Sequence, residues 1–116
     1  MQRTTPYLNR LNAKQRSVLE RILQDAQTLV LDAQLSMPYG VPGFIWQGKK
    51  LFAVAAHAQH IGIYPFSPTV VRTVATQIPH IGTSKGTLRF SYDAAPSKHD
   101  IQVIITARMH EIQANK

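Results

Sequence analysis

Residues 44–65 read FIWQGKKLFAVAAHAQHIGIYP, and this run sets the architecture. Phe44-Ile45-Trp46 has the length and composition of a short strand, Gln47-Gly48-Lys49-Lys50 of a hairpin tip, and Leu51 to His57 of a buried strand. After Ala58-Gln59, His60 to Tyr64 forms another strand. Pro65, with no N–H to give a sheet ladder, ends the run. Short strands joined by tight turns specify an antiparallel meander.

Upstream, Met37-Pro38-Tyr39-Gly40-Val41-Pro42-Gly43-Phe44 cannot be a helix interior, because it holds two prolines and two glycines. Pro42-Gly43 suits the central pair of a type II turn, proline presetting the first φ and glycine accepting a positive second φ. Before it, Leu11, Val18, Leu19, Ile22, Leu23, Ala26, Leu29 and Val30 fall at helical spacing. They predict a helix from about Asn12 to the late twenties, with Asn12 as N-cap. Its apolar stripe needs a sheet or another helix to cover it.

Downstream, Ser67 or Thr69 can cap a short helix through Val70, Val71, Val74 and Ala75. Gly82-Thr83-Ser84-Lys85-Gly86 reads as a turn and Thr87 to Tyr92 as a strand with Leu88, Phe90 and Tyr92 on one side. Pro96-Ser97 introduces a closing helix, with Ser97 as cap and Asp100 in its first turn. Ile101, Ile104, Ile105, Arg108 and Ile112 line its inner face, Arg108 through its aliphatic stem. The order predicts an α+β fold, an antiparallel β-sheet with helices packed on one face, as one domain over residues 1–116.

At 116 residues the chain has the size of one ordinary domain. A globule of that length buries roughly two thirds of its unfolded surface, enough for a core without staples. There is no cysteine, which excludes disulfides, thiolate metal sites and cysteine nucleophiles. MQRTTPYLNR lacks the apolar stretch of a secretory signal, and the richest apolar window, Leu51 to Ala56, is far short of the roughly 20 residues that span a bilayer. A cytoplasmic location and no membrane partner are the expectations.

Thirteen Lys and Arg against six Asp and Glu give +7 with His neutral, a balance that favours an anionic ligand or nucleic acid. Candidate contacts are Lys49, Lys50, Lys85 and Arg89, all near turns or strand ends, and Trp46 on an exposed sheet face. The N–H groups of Gly82 to Thr87, with Lys85 and Arg89 nearby, could cradle an anion. A face around Trp46 could also dock a protein.

Catalytic groups are sparse. His57 and His60, three apart, fall on opposite faces of a strand unless the Ala58-Gln59 turn folds one strand back on the other. His80 lies in a loop, and no compact ligand pairs of a zinc site are visible. Asp25 and Asp32, seven apart, could project from one helical face and bind a hard cation weakly if the helix persists that far. No nucleophile–base–orienter set can be traced, so binding without catalysis is the expected activity.

Tyr39-Gly40-Val41-Pro42-Gly43-Phe44, Gly48-Lys49-Lys50-Leu51-Phe52-Ala53, His60-Ile61-Gly62-Ile63-Tyr64-Pro65, Ser84-Lys85-Gly86-Thr87-Leu88-Arg89-Phe90 and Arg108 with Glu111 resemble the YdhG-like family of bacterial proteins, related in fold to frataxin. The resemblance implies an antiparallel sheet flanked by helices. It further implies an intracellular iron chaperone, with iron transiently bound as cargo and an iron–sulfur assembly protein as partner. Asp25 and Asp32, with His60 and Tyr64 as alternatives, are the ligands it suggests.

Overall fold

Helix starts leave backbone N–H groups without partners, and the three longer helices of this chain satisfy them with local side chains. The computed structural model describes residues 4–79, 81–84 and 86–115. A short helix α1 (Thr5–Asn9) precedes the long α2 (Ala13–Leu29). Asn12 Oδ1 accepts from the Gln15 N–H at 2.8 Å, and Gln15 Oε1 accepts from the Asn12 N–H at 3.1 Å. Ser67 Oγ accepts from the Val70 N–H to open α3 (Pro68–Ala75). Ser97 and Asp100 form a second reciprocal cap, both bonds 3.0 Å, at the head of α4 (Lys98–Ala114). Each predicted cap is in place.

Among the described residues, six strands form one sheet: β1 (Gln34–Ser36), β2 (Gly43–Trp46), β3 (Lys49–Ala56), β4 (Ile61–Tyr64), β5 (Gly82–Ser84) and β6 (Thr87–Phe90). Their spatial order is β1-β2-β3-β4-β6-β5, with every neighbouring pair antiparallel. Gln47 (φ 50°) and Gly48 (φ 77°) turn β2 into β3, the left-handed pair that matches the twist of a two-residue hairpin.

Strand alternation then separates two faces. Val54, Ile63 and Leu88 align across three strands, as do Ala56, Ile61 and Phe90. Val54, Ile61, Ile63 and Leu88 are fully buried, with α2 and α4 on β3 and α3 on β6. α4 lies between the other two helices and packs on both. Burying one such side chain stabilises the fold by about 1.5–3 kcal/mol. On the opposite face the register sets Ala53 against Tyr64, and Ala55, Gly62, Arg89 and Gly82 in a row. The α+β architecture with α2, α3 and α4 on one face is as predicted. Among the described residues, no helix is long and apolar enough to cross a membrane.

Three local readings are corrected. Gly82–Ser84 is an edge strand rather than part of a turn, and Lys49 and Lys50 begin β3 rather than sitting in the hairpin tip. Pro42-Gly43 is not a type II turn, since the left-handed residues are Tyr39 (φ 54°) and Gly40 (φ 80°). Gly43 is required for a different reason: a Cβ there would lie 2.9 Å from Ala53 Cα and against the Phe52 carbonyl oxygen.

Candidate functional site

The site arises where β2 stops following β3. β2 has four residues and β3 eight, and Pro42 has no N–H with which to extend the ladder. The Val54 N–H still reaches the Pro42 carbonyl at 2.8 Å. Two residues on, the Ala56 N–H has lost its strand partner and donates instead to Tyr7 Oη at 3.1 Å. α1 is thereby tied to the sheet edge through one hydroxyl. Between Tyr7 on one side and the departing Pro38–Val41 segment on the other lies a cleft of about 510 Å³.

Its floor is small and apolar: Ala53 and Ala55, the open-face positions of β3. A larger residue at either would fill the space. Its outer wall is aromatic. Tyr39 and Phe66 stand with ring centroids 5.8 Å apart, tilted by 39°. Both have left-handed backbones, φ 54° and 58°, a conformation that costs a non-glycine residue about 1–3 kcal/mol and persists where surrounding structure enforces it. Tyr39 is 81% exposed, so core packing does not account for its strain. The Lys50 ammonium covers both rings, 5.2 Å from the Tyr39 centroid and 5.8 Å from that of Phe66.

The opposite end is polar. Tyr64 Oη and His57 Nε2 are 2.9 Å apart. Partial burial, then the charge of His60, pushes the His57 pKa down; burial, then Tyr7, pushes that of Tyr64 up. Both shifts favour neutral groups, so Tyr64 Oη and His57 Nε2 share one hydrogen bond whose donor is set by the imidazole tautomer. The His57 carbonyl accepts from Tyr92 Oη at 2.7 Å, which fixes this end from outside. A neutral pair of this kind offers hydrogen bonds to a ligand.

A hollow of about 670 Å³ also lies between α2 and β1, lined by Glu20, Leu23, Gln24, Gln27, Leu35 and Phe44. It is larger, but Gln27 Nε2 is committed to the Val30 and Ala33 carbonyls, Phe44 is its one aromatic residue, and none of its lining residues has a positive φ. The Tyr7–Phe66 cleft is the better-built site.

The predicted site residues scatter. Trp46 is 5% exposed and donates from Nε1 to Asp32 Oδ1 at 3.1 Å, so it belongs to the core side and not to an open docking face. Asp25 accepts from Arg21 at 2.9 Å on α2, which ends at Leu29, so Asp32 does not share its helical face. The Ala58-Gln59 turn does fold β4 back: the His57 N–H donates to the His60 carbonyl, and the two rings stack at 4.6 Å. Tyr64 reaches the cleft, Lys50 its rim, and Arg89 the open face, where it donates to the Thr83 carbonyl at 3.3 Å. Lys49 is exposed at the start of β3. Lys85 and His80 lie outside the described residues. Among the described residues, no three His, Asp or Glu gather where they could hold a metal ion.

Tyr7, Tyr39, Ala53, Ala55 and Phe66 line the cleft, and none of them is among the candidate ligand-binding residues of the sequence. A signal for two of them is present in the sequence: Ala53 and Ala55 are small residues two apart in an otherwise bulky strand, the pattern of a face that something else must approach. Tyr39 and Phe66 gave none, because their backbone angles depend on distant contacts.

No family model matches the chain, and no curated protein matches it. Among solved structures, it is similar to the crystal structure at 1.75 Å resolution of a DUF1801 family protein, YdhG, from Bacillus subtilis. The TM-score is 0.87, over 96% of this chain and 91% of that one, at 13% sequence identity. Likeness at that identity carries architecture and not activity. The fold of this chain is YdhG-like.

Proposed function

We propose that this chain is a non-enzymatic binding protein that holds a small, flat, largely apolar molecule in the cleft on the open sheet face. One observation carries the reading: an alanine floor under two aromatic rings held at positive φ, enclosing about 510 Å³. That volume lies within the range of small-molecule sites, and an apolar lining with a few placed polar groups is their usual make-up. The Tyr39 side chain is 81% exposed, so its left-handed backbone presents the ring at the mouth of the cleft rather than to the core.

The test is a fluorescence titration with the neutral probe N-phenyl-1-naphthylamine. Wild type should bind it, and Tyr39→Gly, which relieves the strained backbone while deleting the ring, should weaken binding about fivefold or more without loss of stability. Ala55→Leu, filling the floor, should abolish it. Absence of binding by wild type, or equal binding by all three, refutes the reading.

Nucleic-acid binding is the second reading, favoured by the +7 charge and by Arg89 on the same open face. Its signature is an affinity for short oligonucleotides that falls steeply with salt. The iron-handling role suggested by the family resemblance draws little support from geometry. Asp25 and Asp32 are engaged with Arg21 and Trp46 respectively. A net positive field also opposes cation accumulation.

A further inference from the structure

The rim of the cleft is braced from the helical side in a way that leaves one charge unanswered. Arg108 Nε on α4 donates to the Lys50 carbonyl at 3.0 Å, and its Nη1 pairs with Glu111 at 2.5 Å. Glu111 also accepts from Ser67 Oγ at 2.7 Å, next in the chain to Phe66. One helix turn thus holds Lys50 by its backbone carbonyl and the Phe66 segment by the Ser67 hydroxyl, while among the described residues the Lys50 side chain is held only by ring faces.

Each of the six carboxylates is engaged elsewhere. Glu20 faces Arg16, Asp25 faces Arg21, Asp93 faces Lys14, Glu111 faces Arg108, Asp32 accepts from Trp46, and Asp100 caps α4. Among the described residues the Lys50 ammonium therefore has no anionic partner, only the weaker attraction of two π faces. A charge-assisted hydrogen bond to a ligand anion is stronger than that attraction and would draw Nζ off the rings. The space it leaves is bounded by the same rings.

Resting on the cleft reading above, we infer that the ligand is an aromatic anion: its ring lies against Tyr39 and Phe66, and its carboxylate, sulfonate or phosphate pairs with Lys50. The bare ammonium at an aromatic rim selects for charge, and the alanine floor selects for flatness.

Two probes with one ring system separate this inference from the reading beneath it. N-phenyl-1-naphthylamine is neutral, and 8-anilinonaphthalene-1-sulfonate adds one anionic group. Wild type should bind the sulfonate about tenfold or more tightly than the amine, the scale of one charge-assisted hydrogen bond. Lys50→Gln should bring the ratio within about twofold. Lys49→Gln, one residue away along β3, should retain it, which excludes a general effect of net charge. Binding of the amine with no preference for the sulfonate overturns the anion assignment and leaves the cleft reading intact. A preference that survives Lys50→Gln, or is lost equally in Lys49→Gln, also overturns it. Binding of neither probe overturns both.

Discussion

Replacing Glu111 with alanine tests the brace that joins α3, α4 and β3. Two partners are lost. The first is the Ser67 hydroxyl, which lies 2.7 Å away in a residue 5% exposed; a hydrogen bond to a charged group contributes about 1.5–3 kcal/mol. The second is Arg108, whose side chain is 15% exposed against 25% for Glu111. A half-screened pair of that kind adds about 1 kcal/mol, well below the fully buried case. The sum is about 3 kcal/mol, a large part of the 5–15 kcal/mol typical of a whole domain. With a urea m-value of about 1.5 kcal/mol per molar, the unfolding midpoint should fall by about 2 M at unchanged slope.

A double-mutant cycle with Ser67→Ala isolates the shared bond. Ser67→Ala alone should cost about 2 kcal/mol, because the same hydroxyl also caps α3 through Val70. If the Ser67–Glu111 bond is real, the double mutant should be more stable than the sum of the singles predicts, by about 1 kcal/mol or more. Additive losses within about 0.3 kcal/mol, or a Glu111→Ala midpoint shift below about 0.3 M, would show that the brace carries no stability.

Two further outcomes follow from other parts of the fold. Gly43→Ala should destabilise by about 2 kcal/mol in urea unfolding, since its Cβ would press on the Ala53 and Phe52 backbone of β3, which cannot move aside; a change below about 0.5 kcal/mol would mean that β2 shifts freely. Burial and His60 hold the His57 pKa below its ordinary 6.5, so the unfolded chain binds the proton more readily. Stability is then full above 6.5, declines as pH falls from there to the folded-state pKa, and levels off below it. An NMR titration should place the His57 midpoint below 6.5, and His57→Ala should flatten that part of the stability profile; a midpoint at or above 6.5 contradicts the packing described at the hairpin end.

Much of the fold is written locally. Asn12 with Gln15, Ser67 with Val70 and Ser97 with Asp100 each act within three residues, so neighbours along the chain suffice to place three helix starts. The apolar spacing in α2 and α4 and the turn at Gln47-Gly48 are equally short-range. The three-residue strands Gln34–Ser36 and Gly82–Ser84 are different, because each exists only through the longer strand beside it. Nothing in three polar or mixed residues favours extension until β2 or β6 supplies the ladder.

The candidate site belongs wholly to that second category. Sequence alone determined a meandering sheet with helices over one face, because periodicity and capping are properties of adjacent residues. Tertiary structure decided which face stays open, buried Trp46 against Asp32, and split Asp25 from Asp32 by ending α2 at Leu29. It also brought Tyr7, Tyr39, Lys50 and Phe66 around Ala53 and Ala55. Such a cleft depends on β2 leaving β3 at Pro42 and on α1 returning to the vacated N–H of Ala56, contacts between residues as far as 49 positions apart. Their geometry is fixed only when the whole core closes, since no local preference drives Tyr39 or Phe66 into a left-handed backbone.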